Sequence, residues 1–285
     1  MKLATYDAGA GPQLGAVTGD RIVPLGSAAP GLPGDMLGLI AAWPQAEREV
    51  RRIAEAGAGA LALDQVRLKA PIRRPGKIMA IGLNYADHIA ESGMGTPEQQ
   101  IWFSKATTAV NGPYDPIQVP KVSQALDYEA ELVVVVGRGG RHIAKDDAAG
   151  AVFGYCCGND ATERAWQHRT TQWVLGKSFD THAPFGPWIT TADEVADPHA
   201  LALRCLVNGE VRQDSNTRHL VFNVWDQIEH LSQAMTLEPG DLIFTGTPGG
   251  IGAAMTPRRF LKHGDRVRIE IEGLGALDNP CANES

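Results

Sequence analysis

The chain has 285 residues, 44% hydrophobic and 21% charged, with Lys+Arg 26 against Asp+Glu 33 and a formal net charge of −7. These are ordinary values for a globular chain long enough to bury its own core, and the acidic balance argues against nucleic-acid or anionic-membrane partners. No apolar run approaches the ~20 residues of a membrane helix, the start at Met1 carries no apolar signal core, and four cysteines make neither a disulfide scaffold nor a CxxC zinc pair; the expected location is a reducing cytoplasm. In chain order, residues 2–6 and 13–23 read as strands around the turn at Gly9 to Gly11, and 35–57 as helix in two pieces split at Pro44. A boundary follows at Pro71, Pro75 and Gly76, so 1–70 is expected as a small β-rich N-terminal domain and 71–285 as the catalytic domain. Strands are expected at 78–83, 131–137, 187–190, 201–207, 242–245 and 266–272, and helices at 84–91, 146–153, 160–171 and 223–235. Strands do not alternate regularly with helices, which excludes a doubly wound sheet and points to a β-rich α+β fold.

Several segments carry reactive side chains. Glu129 and Glu131 share one face of a strand that continues as Val133 and Val135, while Tyr128, Ala130, Leu132, Val134 and Val136 make the other. Two carboxylates at the end of a doubly apolar strand repel each other, and Mg²⁺, Mn²⁺ or Ca²⁺ would compensate them; a simply hydrated strand end explains the pattern equally well. Asp160 is either a third ligand or, more simply, a helix N-cap, with Arg164 and Gln167 on one helix face beyond it. Gly176-Lys177-Ser178 lacks the earlier glycine of a phosphate loop, Thr171 standing there, so nucleotide binding is excluded. The glycine-rich stretch 246–252 follows a strand; its backbone N–H groups suit a small carboxylate, or it is a tight turn. His88 and Glu91 share a helix face, as a general base and its orienting carboxylate would, or as an ordinary surface pair. The Gly-, Pro- and Gln-rich residues 93–100 read as a mobile lid.

Taken together, Ile81-Gly82-Leu83-Asn84-Tyr85 with His88, Asp127-Tyr128-Glu129-Ala130-Glu131-Leu132, Gly158-Asn159-Asp160, Gly176-Lys177-Ser178-Phe179-Asp180, Pro184-Phe185-Gly186-Pro187-Trp188, Val207-Asn208-Gly209-Glu210 and the run from Pro239 to Pro248 resemble the fumarylacetoacetate hydrolase family, in order from about Lys77 onward. Cys156-Cys157 departs from that pattern. The resemblance implies a mixed β roll with a small N-terminal domain and a homodimer. It implies metal ligands at Glu129, Glu131 and Asp160, a water-activating dyad at His88 and Glu91, a catalytic Lys177, and a substrate pocket at Arg164, Gln167, Gln213, Gly246 and Thr247.

A 2-oxo acid chelates a divalent ion through its carboxylate and keto oxygens, and charge building on an enolate would be stabilised by the ion and by Lys177. The expected activity is Mg²⁺- or Mn²⁺-dependent C–C hydrolysis of a 2,4-dioxo acid. The family branch it most resembles acts on 2,4-diketo-3-deoxy sugar acids such as the rhamnonate or fuconate derivatives, giving pyruvate and a hydroxy acid such as lactate; Thr96, Gln99 and Gln100 would suit a hydroxylated tail. The alternatives are a fumarylpyruvate-type hydrolase, an oxaloacetate decarboxylase on the same metal and enolate, isomerase or hydratase chemistry on a 2-oxo acid, and a metal-binding protein without turnover.

Overall fold

The computed structural model describes every residue except Met94. Its organising element is the strand Ala130–Val136, buried at every position. It pairs antiparallel with Val152–Asn159 on one side and Leu242–Phe244 on the other. The two faces serve different cores. Leu132, Val134 and Val136 pack with Leu231, Ile243 and Ile269, whereas Val133 and Val135 pack with Phe185, Phe244, Leu39 and Val50. Each such side chain contributes roughly 1.5–3 kcal/mol on burial, so a strand apolar on both sides is held from both sides.

Among the described residues a 12-stranded sheet extends this pairing. Beyond Val152–Asn159 come Ala183–Thr191 and then Lys2–Asp7, Pro12–Thr18, Arg21–Pro24 and Leu61–Ala62; beyond Leu242–Phe244 come Ile78–Gly82, running parallel to it, and Ile101–Ser104. The first residues of the chain thus share the large sheet through Lys2–Asp7. A 5-stranded sheet carries Glu210–Asn216, Ala202–Val207, Arg266–Ile271, Gly275–Asn283 and Ile117–Val119. No helix of the described residues is long and apolar enough to cross a membrane.

Most expected elements occur, with local differences. The expected 13–23 strand is a hairpin, Pro12–Thr18 and Arg21–Pro24, because Gly19 takes the left-handed conformation that the turn requires. The helices Met36–Ala41 and Trp43–Ala56 break at Ala42, which leaves Pro44 in the first turn of the second, where no amide donor is missed. The expected 146–153 helix is a 3-10 turn, Lys145–Ala151, followed by a strand. Val152 pairs with Val136, while Gly154 and Tyr155 find ladder partners on both sides, and this tertiary pairing overrides local helix preference. The expected 160–171 helix shrinks to Arg164–Gln167, because Thr162–Glu163 pairs with Leu126–Asp127 and Glu163, not Asp160, caps the helix.

The sheet register places the site. Ala130 faces Asn159, Val133 faces Phe244, and Leu242–Phe244 lies alongside Ile78–Gly82. The start of the central strand therefore meets the C-terminal ends of three neighbours, from which Asp160, Thr245–Thr247 and the His88 helix continue. Chain segments 83–88, 129–131, 158–160 and 245–247 converge there.

Candidate metal centre and active site

Glu129, Glu131 and Asp160 are all buried, each with a carboxylate oxygen within 4.8 Å of the others. Three basic side chains surround them. Lys177 Nζ lies 2.6 Å from both Glu129 Oε2 and Asp160 Oδ2. Lys105 Nζ donates to Asp160 Oδ1 at 2.5 Å and to the Ala161 carbonyl at 3.2 Å. Arg164 reaches Glu129 Oε1 at 2.7 Å and donates from Nε to Asp127 Oδ2 at 2.9 Å. Glu131 stands apart from these cations; its Oε2 accepts the Gly246 amide at 2.8 Å. Gly176 explains the Gly-Lys-Ser sequence without any phosphate. A Cβ there would sit 2.3 Å from the Gln167 amide nitrogen, so only glycine lets Val174–Lys177 close on Arg164–Gln167 and carry Lys177 to the carboxylates.

The electrostatics separate the two glutamates. Burial opposes ionisation of Glu129, but the Lys177 and Arg164 charges outweigh it and hold the carboxyl well below its usual range. Burial, then the Asp160 and Glu129 charges, push Glu131 well above its usual range. Counting Asp127, four carboxylates meet Lys177, Arg164 and a Lys105 whose own charge burial disfavours, so negative charge is in excess at Glu131. The donor set fits a divalent ion: buried, hard carboxylate oxygens close enough to share one cation, which would offset the burial and the repulsion that raise the Glu131 pKa.

Glu131, with its pKa raised in the metal-free fold, adds stability below the unfolded carboxyl value of about 4.3 and loses it as pH rises through the folded value. Metal needs the ionised form. The melting-temperature gain from MnCl₂ over EDTA should therefore be larger at pH 8 than at pH 5.5. A gain independent of pH would show that Glu131 is not a ligand.

A cavity of about 190 Å³ opens onto this cluster, below the roughly 300 Å³ at which pockets for drug-sized ligands begin. Glu129, Glu131, Arg164, Gln167, Lys177, His88 and Thr247 face it, opposite an apolar wall of Ile81, Leu83, Phe103, Trp173 and Ile251. Lys177 Nζ lies 4.7 Å from the centre of the Phe103 ring. His88 Nδ1 approaches Glu91 Oε1 at 3.5 Å, a near contact longer than a hydrogen bond, while Glu91 Oε2 accepts the Gly250 amide at 2.7 Å.

Other expected pocket residues stand behind the wall. Gln213 is buried, accepts the Ala130 amide, and donates to Thr247 Oγ1 and the Pro248 carbonyl, which fixes Thr247 against the central strand. Gly246 contributes its amide to Glu131. The glycine-rich loop does cradle carboxylates, but the protein's own: Gly246 serves Glu131, Gly250 serves Glu91, and Gly252 with Ala253 serves Asp127. Gln100 is engaged with the Asp226 carbonyl and Trp102, and neither it, Thr96 nor Gln99 lines the cavity. Of the expected lid, Met94 lies outside the described residues.

Two buried members of the site were not expected. Asp127 accepts from Arg164, Gly252 and Ala253. Lys105 follows the apolar strand Ile101–Ser104; a lysine directly after such a strand was the available signal for it.

A family model described as Fumarylacetoacetate (FAA) hydrolase C-terminal matches residues 77–282. The mitochondrial oxaloacetate tautomerase FAHD2A of Bos taurus is 42% identical over 285 residues, with 98% of this chain and 91% of that protein covered. Maleylpyruvate hydrolase from Sphingobium sp. SYK-6, solved with manganese(II) ion and pyruvate, superposes with a TM-score of 0.86 at 35% identity, covering 100% of both chains. The 2-hydroxyhepta-2,4-diene-1,7-dioate isomerase of Mycobacterium marinum superposes with a TM-score of 0.79 at 31% identity, covering 100% of this chain and 99% of that one. The mitochondrial location of the bovine relative overturns the expectation of a cytoplasmic protein. None of these three is a sugar-acid hydrolase, and the bovine relative brings the oxaloacetate alternative forward.

Proposed function

Because the chain belongs to the fumarylacetoacetate hydrolase family, we propose that it is a divalent-metal-dependent enzyme of 2-oxo acids that interconverts enol and keto oxaloacetate. The reaction moves one proton between the C2 oxygen and C3. The observation that carries this reading is the small, largely apolar-walled cavity over Glu129, Glu131 and Lys177, with His88 on its rim. An Mg²⁺ or Mn²⁺ ion held by Glu129, Glu131 and Asp160 would polarise the C2 carbonyl.

The protein's own residues do the rest. Burial opposes the Lys177 charge, but Asp160 and Glu129 raise its pKa above the usual lysine value, so it stays an ammonium. It then stabilises negative charge growing on the C2 oxygen and is unfit to act as a base. His88, with Glu91 behind it, is the group placed to move the C3 proton. Ile81, Leu83, Phe103 and Trp173 supply the cavity's apolar wall.

The test follows the enol absorbance of oxaloacetate with MnCl₂ and with EDTA. EDTA-sensitive acceleration is expected, and His88→Asn should slow it about 10²- to 10⁴-fold. CO₂ release without accelerated tautomerisation would assign decarboxylation instead. A second reading, hydrolysis of an acylpyruvate, is supported by the His88–Glu91 contact, which suits activation of a water, and by the likeness to maleylpyruvate hydrolase. Pyruvate and a second acid released in equal amounts from such a substrate would establish it.

A further inference from the structure

The helix Ala86–Ser92 that carries His88 and Glu91 is fastened by a residue assigned to neither the metal nor the dyad. Asp87 Oδ2 accepts the Ser215 hydroxyl at 2.8 Å, and Oδ1 accepts the His88 amide at 2.8 Å and the Gly249 amide at 3.4 Å. One carboxylate thus ties the start of this helix to two other segments. Ser215 lies on the strand Glu210–Asn216, which also supplies Gln213 to Thr247 and to the Ala130 amide between the metal-site glutamates. The same strand backs the glycine loop: a Cβ on Gly250 would lie 2.0 Å from the Arg212 carbonyl oxygen. Strand, loop and helix form one frame, which the start of the helix joins at Asp87 and its far end at Glu91.

We propose that Asp87, with Ser215, is a positioning pair that sets where the His88 imidazole stands over a substrate held at the carboxylate cluster. This deepens the proposed function and rests on His88 acting there. Glu91 holds the far end of this short helix through the Gly250 amide and Asp87 holds its start; both are needed to keep a base within the tolerance of proton transfer, since misplacement by about 1 Å costs up to about 100-fold in rate.

Asp87→Ala should lower kcat for oxaloacetate tautomerisation about 10- to 100-fold, with little change in KM, in Mn²⁺ affinity by calorimetry or in melting temperature. Asp87→Asn should recover most of the rate. Its Oδ1 still accepts both amides, and its Nδ2 donates to Ser215 Oγ, a hydroxyl that also accepts. Ser215→Ala should show a smaller kcat loss, and the double variant Asp87→Ala/Ser215→Ala should be no slower than Asp87→Ala alone, as partners in one interaction behave.

Amide exchange across 86–91 should quicken in Asp87→Ala and Ser215→Ala but not in Asp87→Asn. Wild-type kcat in Asp87→Ala, strictly additive losses, or unchanged exchange would each overturn the assignment. Equal losses in the Asn and Ala variants would do so too, showing a need for charge rather than position. The exchange measurement reports on the pair even if oxaloacetate proves not to be the substrate, so the two readings fail separately.

Discussion

Glu131→Gln is expected to remove metal-dependent turnover, a fall of at least about 10³-fold for the loss of several kcal/mol of metal assistance, while the metal-free protein melts no lower than wild type. The same amide substitution at Glu129 is expected to lower the metal-free melting temperature by about 6 °C or more. The contrast follows from the two environments. Without metal, burial and the Asp160 and Glu129 charges raise the Glu131 pKa and favour its neutral form, which the amide matches in shape and charge while still accepting the Gly246 N–H. Glu129 is ionised between Lys177 and Arg164. Removing its charge leaves buried cations short of a partner, at about 3–5 kcal/mol, and each kilocalorie is worth roughly 2–4 °C in a chain of this class. Thermal melts with EDTA and manganese titration by calorimetry check both. Manganese-dependent turnover surviving in Glu131→Gln would refute the cluster as the metal site, and equal melting losses in the two variants would refute the charge ordering.

Two buried lysines flank Asp160 from opposite sides, and their replacement should separate support from chemistry. Lys105→Met is expected to cost about 3–5 kcal/mol in the metal-free protein, because Asp160 Oδ1 loses its 2.5 Å donor. That loss should shrink when MnCl₂ is added, since a bound cation supplies the missing positive charge to Asp160 and stabilises the native state by mass action. Lys177→Met should cost stability similarly, but kcat should also fall about 10²- to 10³-fold, because Lys177 faces the cavity and Lys105 does not. Melting curves with and without manganese, read beside kcat, give the comparison. Equal kcat losses in the two variants, with Lys105→Met no less stable, would mean that Lys105 acts on the substrate and does not brace Asp160.

The metal cluster also shows how far local sequence carries. Alternation along 129–136 put Glu129 and Glu131 on one face and made both faces of the strand apolar, and the structure buries that strand between two cores. Period-two geometry is a property of the backbone, so it needs no knowledge of the fold. Strands expected at 78–83, 201–207 and 266–272 occur as Ile78–Gly82, Ala202–Val207 and Arg266–Ile271. Asp160 was ambiguous, because an acid before a helical pattern is ordinarily a cap, and only the pairing of Thr162–Glu163 with Leu126–Asp127 moves the helix start past it.

What the sequence determined by itself was the β-rich fold, the family, and a set of acids and bases able to hold a cation and move a proton. All of these rest on short-range pattern or on motifs read in order. The tertiary structure decided which residues face the cavity and which brace it. Gln213, expected in the pocket, spends its amide on Thr247, Pro248 and the Ala130 amide. Lys105, unremarked in the sequence, neutralises Asp160 across 55 residues of chain. The glycine loop, read as a seat for a ligand's carboxylate, seats Glu131, Glu91 and Asp127. Each outcome depends on which distant donor the fold brings within reach of a buried acceptor. The register between strands far apart in the chain sets that, and no local spacing encodes it.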